Sequence, residues 1–156
     1  MDRRIIGLAV AVFAAAQIPA SAQTPPSATA DVMAVVRQFV DGFNKCDLQM
    51  LSTACAAQVS IIDEFPPHEW HGAGACAKLS SDYDADAKKN GITDGLVTLG
   101  KQSHVDVTGD RAYIVGPADY AYKLKGKPVK EVGSILTLGL QRSGRLAHRR
   151  LVVAKH

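Results

Sequence analysis

The order of hydrophobic patterns predicts an α+β fold. Apolar residues recur at helical spacing through most of the first ninety or so residues, interrupted by one short strand pair. From Leu96 onward the pattern alternates with period two and is broken by glycine-containing turns. Helices followed by hairpin-linked strands imply an antiparallel sheet with helices packed on one side.

The chain opens with Arg3 and Arg4, an apolar run from Ile5 to Ala16, Pro19 and the small-residue motif Ala20-Ser21-Ala22. This is the layout of a cleavable signal peptide ending at residue 22. The run is shorter than the about 20 residues that span a bilayer, so an uncleaved anchor is the weaker reading. Export to the periplasm or the exterior is expected, with no membrane attachment after cleavage. Of 156 residues, 134 then remain, the size of one domain. Those 134 carry 16 basic and 14 acidic residues, too even a balance for a nucleic-acid partner. The one basic cluster, Arg142, Arg145, Arg149 and Arg150, reads as a solvated strand face.

Residues 23–30, QTPPSATA, have linker composition, and the domain proper is expected over 31–156. The first helix should run from Ala30 to Lys45, with Val32, Val35, Val36, Phe39 and Phe43 on one stripe. Asp31 would sit in its first turn, where a carboxylate suits the helix dipole. Asp47 is the expected N-cap of a short second helix with Leu48 and Leu51 facing inward. A strand over 58–65 follows, ended by Pro66-Pro67, with a short return at Glu69-Trp70-His71. Gly72 and Gly74 lead into a third helix carrying Cys76, Leu79, Tyr83 and Ala87 on one face, and Gly91 ends it.

The remaining strands are expected at 96–99 with 104–107, at 111–124, at 129–140 and at 145–154. The turns fall at Thr108-Gly109-Asp110, Lys125-Gly126-Lys127 and Ser143-Gly144, and Gly116-Pro117 should mark a bulge.

Three cysteines in an oxidising compartment imply one disulfide and one free thiol. Cys55 precedes the first strand and Cys76 opens the helix after the second. A tight turn between the strands should bring them level, within the about 7 Å between Cα atoms that a bridge requires. Cys55–Cys76 is therefore the expected pair, Cys46–Cys55 the competitor, and Cys46 the expected free thiol.

Particular residues resemble a known family. Phe43-Asn44-Lys45-Cys46-Asp47, then Ile62-Asp63-Glu64-Phe65-Pro66-Pro67 with Trp70-His71-Gly72, then the closing strands, resemble the nuclear transport factor 2-like superfamily, also called SnoaL-like or ketosteroid isomerase-like. The resemblance covers about residues 30–155. It implies a cone-shaped, strongly bent, mostly antiparallel sheet wrapped on three helices around an apolar pocket, and frequent homodimers through the open sheet face. Ketosteroid isomerases in this superfamily place an aspartate general base nine residues before a glycine that opens the third helix. Asp63 stands nine residues before Gly72. Their two oxyanion donors, a tyrosine and a protonated aspartate, correspond here to Phe39 and to Ile135 or Leu136, so this chain lacks both.

Asp63 is the candidate catalytic residue on its own pattern too. Strict alternation puts it on the face of Val59, Ile61 and Phe65, where burial would raise a carboxyl pKa toward a general base's working range. The competing reading is a strand-end acceptor for turn amides. Tyr120 and Tyr122 share one strand face and are candidate phenolic donors to a ligand, or else ordinary strand aromatics. Phe39, Phe43, Trp70 and Tyr83 are candidate pocket walls, or else core. His68 and His71, near Glu64 and Glu69, match no tight metal-ligand spacing, and no cofactor motif is present.

These readings converge on an exported domain that binds a small apolar or amphipathic molecule. It would catalyse proton transfer of isomerase, dehydratase or cyclase type through Asp63. The alternative is a non-catalytic interaction domain that forms a homodimer.

Overall fold

The computed structural model describes residues 26–143, 148–149 and 152–155. The signal peptide assigned to residues 1–22 lies outside them. Three helices, α1 (Pro26–Asn44), α2 (Leu48–Ala54) and α3 (Ala75–Asn90), pack on a mostly antiparallel sheet. The strands are β1 (Val59–Ile62), β2 (Glu69–Gly72), β3 (Ile92–Leu99), β4 (His104–Thr108), β5 (Arg111–Leu124), β6 (Lys127–Glu131), β7 (Ile135–Ser143), β8 (His148–Arg149) and β9 (Val152–Lys155). The fold is α+β, as the pattern order requires.

Helix α1 begins earlier than its apolar stripe. Pro26 stands at its first position, where proline's fixed φ fits and its missing N–H is not needed. Residues 26–30 of the stretch read as linker are therefore helical, and Asp31 falls beyond the first turn. Val32, Val36, Phe39 and Val40 are buried from one face of α1. Gly42 lets α2 approach, since a Cβ there would lie 2.8 Å from the Leu51 backbone nitrogen. Asp47 caps α2 as expected, its carboxylate accepting from the Met50 N–H at 2.9 Å. The inner face of this seven-residue helix holds only Leu51 and Ala54, and Leu48 is 52% exposed, against expectation.

The long strand β5 is the spine of the sheet. Its first half pairs with β4 on one side and β7 on the other, and its second half with β3 and β6. The expected single strand over 129–140 is therefore two, β6 and β7. Val132, Gly133 (φ 87°) and Ser134 separate them, and Ser134 O accepts from Ala118 N–H at the changeover. Gly116-Pro117 pairs in unbroken register with Leu136 and Ile135, so the expected bulge is absent there. It marks instead where the neighbour of β5 changes from β4 to β3. The irregularity lies in β3, between Thr93 and Leu96, with Asp94 at φ 56°. Strand β9 enters between β7, antiparallel, and β1, parallel, which joins the β1–β2 hairpin to the large sheet. Part of the strand expected over 145–154 lies outside the described residues.

The core sits between the helices and the sheet, with Val32, Val36, Leu51, Ile61, Ile114 and Leu138 essentially sealed from solvent. The Cys55–Cys76 disulfide ties the end of α2 to the start of α3 with Cα atoms 6.5 Å apart, and Cys46 is an exposed free thiol. Trp70 ties β2 to α3. Its indole N–H donates to Asp82 at 2.8 Å, and Lys78 donates to the other carboxylate oxygen. The Lys78 ammonium first, and the indole second, hold the Asp82 carboxyl below the usual carboxylate range.

Candidate functional site

A cavity of about 210 Å³ opens between α1, α3 and the inner face of the sheet. Alternation builds its walls. Along β1 the inward positions Val59 and Ile61 are buried, and the same parity carries Asp63 and Phe65 inward just past the strand end. On β5, Ala118, Tyr120 and Tyr122 face it, and on α3 so do Leu79, Tyr83 and Asp86. Phe39, Val40 and Phe43 close it from α1.

Of the residues singled out from the sequence, Asp63, Phe39, Phe43, Tyr83, Tyr120 and Tyr122 line this one cavity. Trp70 does not. It is buried in the core, stacked at a tilt on Phe65 with ring centroids 5.0 Å apart, and its N–H is held by Asp82. His71 lies outside as well, exposed beside Glu69 and Ser60.

The aromatic side chains form a continuous set. Phe43 packs on Tyr83 (4.8 Å), Phe65 on Tyr83 (5.8 Å), and Tyr120 stacks on Tyr122 (4.9 Å). The hydroxyls of Tyr83 and Tyr120 hydrogen-bond to each other. The irregularity in β3 makes room for them, because a Cβ on Gly95 would collide with both phenolic oxygens. Burial pushes both phenols above their ordinary pKa, so they stay protonated, and a protonated phenol is a hydrogen-bond donor. The Tyr122 O–H donates to Glu131 Oε1 at 2.9 Å, and that bond raises the Tyr122 pKa.

Asp63 holds its own turn. Its N–H donates to the His68 carbonyl, and its Oδ1 accepts from the Glu64 N–H at 2.7 Å. The turn amide of the competing reading is thus present, on a carboxyl that also faces the cavity. Asn44 fixes the far wall. Its side-chain amide accepts from Val97 N–H at 2.8 Å and donates to Val97 O at 2.9 Å, pairing with β3 as a strand would.

Sequence reading placed Phe65 on the Asp63 face without naming it as a site residue, and it missed Asp86, Glu131 and Gly95. Asp86 is three residues from Tyr83 on a helix, and so on its face. Glu131 is opposite Tyr120 once the Lys125-Gly126 turn sets the register. Gly95 had no signal short of the fold.

A larger groove of about 840 Å³ lies elsewhere, at Ser60, His71, Arg111, Tyr113 and Gln141. It is an open surface depression without the phenol pair or Asp63, and the smaller, more enclosed cavity is the better ligand site.

No family model matches the chain, and no curated protein matches it. Solved structures match its fold. A candidate dehydratase of the nuclear transport factor 2-like family from Streptomyces avermitilis superposes with a TM-score of 0.66 at 20% identity, covering 84% of this chain and 97% of that one. A candidate ketosteroid isomerase from Shewanella frigidimarina gives 0.62 at 19%, covering 81% and 94%. A nuclear transport factor 2-like superfamily protein from Salmonella enterica serovar Typhimurium gives 0.67 at 10%, covering 83% and 90%. At these identities the likeness concerns the fold, and the chain has the nuclear transport factor 2-like fold.

Proposed function

We propose that this chain is an exported domain that binds a small apolar or amphipathic molecule in the Asp63 cavity and moves a proton on it. The observation that carries the reading is one enclosed space shared by a carboxyl, Asp63, and a protonated phenol pair, Tyr83 and Tyr120. In the proposed step the Asp63 carboxylate takes a proton from a carbon beside a carbonyl. The C–H electron pair moves into the carbonyl, and the phenol pair donates to the oxygen where charge develops. Where a carbon–carbon double bond adjoins that carbon, returning the proton to its far end gives an isomer. Where a hydroxyl stands on the β-carbon, its C–O bond breaks and the proton held by Asp63 leaves with it as water, giving a dehydration product. Two structural likenesses bear on the same chemistry, since those proteins are described as a candidate dehydratase and a candidate isomerase.

Export is supported by the Cys55–Cys76 disulfide, which suits an oxidising compartment, and by the signal-peptide pattern over residues 1–22. No helix among the described residues is long and apolar enough to cross a membrane.

Asp63→Asn tests the assignment, because it keeps the shape and removes the base. The expected result is an intact fold with unchanged or higher stability and altered ligand binding or lost turnover. A loss of roughly 1–3 kcal/mol in chemical denaturation, with ligand binding unchanged, would make Asp63 a turn acceptor only.

The second reading, a non-catalytic interaction domain, is favoured by Ile62 and Tyr113, each 48% exposed on the outward side of the sheet. A homodimer through that face would cover both. Light scattering on the purified chain and on Tyr113→Lys tests it, and a monomer at every concentration would remove it.

A further inference from the structure

Two acids that line the cavity bear on its charge, Asp86 from α3 and Glu131 from β6. Three acids on the same or neighbouring elements are matched by cations: Asp82 by Lys78, Asp94 by Lys123, and Asp119 by Lys130. Asp86 and Glu131 are half-buried, yet neither joins an ion pair among the described residues. Glu131 accepts the neutral Tyr122 O–H instead. Their charge is felt inside the cavity, where Asp86 adds to the upward push on the Tyr83 pKa and Glu131 adds to that on Tyr120. Carboxylates partly withdrawn from water favour a nearby positive charge, and so do the electron-rich faces of the phenyl and phenol rings.

We propose that the cavity takes a ring compound bearing an ammonium group, held by the Asp86 and Glu131 carboxylates and the surrounding aromatic faces. This rests on the reading of the cavity as a ligand site and not on Asp63 being a base. The volume sets the size. About 210 Å³ is below the roughly 300–1,000 Å³ of common ligand pockets, which fits one or two rings and not a steroid-sized molecule. The charge also suits proton transfer. Negative charge developing on a substrate oxygen is opposed by the Asp86 and Glu131 carboxylates, and a ligand carrying its own positive charge offsets that repulsion.

Calorimetric titration of the purified chain with phenethylamine, 2-phenylethanol and 3-phenylpropanoate tests the proposal, since the three share a ring and differ in charge. The amine should bind at least about tenfold tighter than the alcohol, and the carboxylate weakest. Asp86→Asn/Glu131→Gln should remove most of the amine's advantage and leave the alcohol's affinity unchanged. Should that variant unfold, the wild type serves, because amine binding must weaken with added salt while alcohol binding does not. Equal binding of amine and alcohol would overturn the charge preference and leave the ligand-site reading standing. An amine advantage that persists in the folded variant, or that ignores salt when the variant is unfolded, would overturn the role of these acids. Binding of none of the three would overturn both the preference and the ligand site.

Discussion

The two ends of the space between helices and sheet are built from the same elements and filled differently. Beneath α1 and α2, the side chains of Val32, Val36, Leu51, Ile114 and Leu138 close on one another with almost no solvent exposure. Toward the other end, the same α1 ends in Phe43, the same β1 runs on to Asp63, and the same β5 runs on to Tyr120 and Tyr122. There the space stays open and polar groups line it. The first arrangement maximises burial, at about 1.5–3 kcal/mol for each large apolar side chain. The second gives up that stabilisation and adds partly buried hydroxyl and carboxyl groups. A chain selected for stability alone would fill the space, so the open end is where function is to be sought.

The comparison breaks most directly by mutation. Leu138→Ala, at the sealed end, should cost about 2–5 kcal/mol in urea unfolding, the range for deleting a fully buried leucine. Phe43→Ala should cost clearly less, because its ring is half-buried and already borders empty space. Equal losses would mean that the cavity wall is packed as tightly as the core. The disulfide staples α2 to α3 across 21 residues of sequence. Replacing Cys55 and Cys76 together by alanine should cost about 2–4 kcal/mol, read by the same denaturation. No loss would show that packing alone holds that junction.

Gly95→Ala sharpens the comparison at the open end. The added methyl meets the Tyr83 and Tyr120 hydroxyls, so a loss of about 1–3 kcal/mol is expected. Removing one hydroxyl with Tyr83→Phe in the same chain should recover part of it. If the double variant is merely the sum of the two single ones, Gly95 is not shaped around the phenol pair.

The smallest effect is on pH dependence. Burial raises the pKa of Tyr83 and Tyr120, so the native state keeps these protons longer than the unfolded chain does. Their contribution to stability is complete below the unfolded value of about 10 and is lost as pH rises through the higher folded values. Ultraviolet titration should therefore show Tyr83 and Tyr120 ionising late, together with Tyr122, with unfolding favoured in that alkaline range. In Tyr83→Phe one late phenol should vanish. Ionisation of Tyr83 and Tyr120 at the unfolded value would mean that the open end is fully wet.

Much of this was readable before any coordinates. The spacing of Val32, Val36, Phe39 and Phe43, the Asp47 cap, and the alternation of Val59, Ile61, Asp63 and Phe65 each follow from one local period. Local periods survive folding because burial of one face is what stabilises the element. The disulfide was legible because a short hairpin must return the chain to its starting level. Pro26 shows the limit of composition, since a proline in a small-residue stretch reads as linker until its place at a helix start is known.

The sequence by itself determined which residues share a face, and hence the three helices, the alternating strands and the inward turn of Asp63. Only the tertiary structure decided which inward residues meet. Trp70 and Tyr83 both face inward, yet one is held in the core by Asp82 and the other stands in the cavity. The division of β6 from β7, the irregularity at Gly95 that admits two phenols, and the gathering of Asp86 and Glu131 beside them all depend on how β5 exchanges neighbours along its length. That exchange is set by contacts between residues far apart in sequence, and no local period carries it.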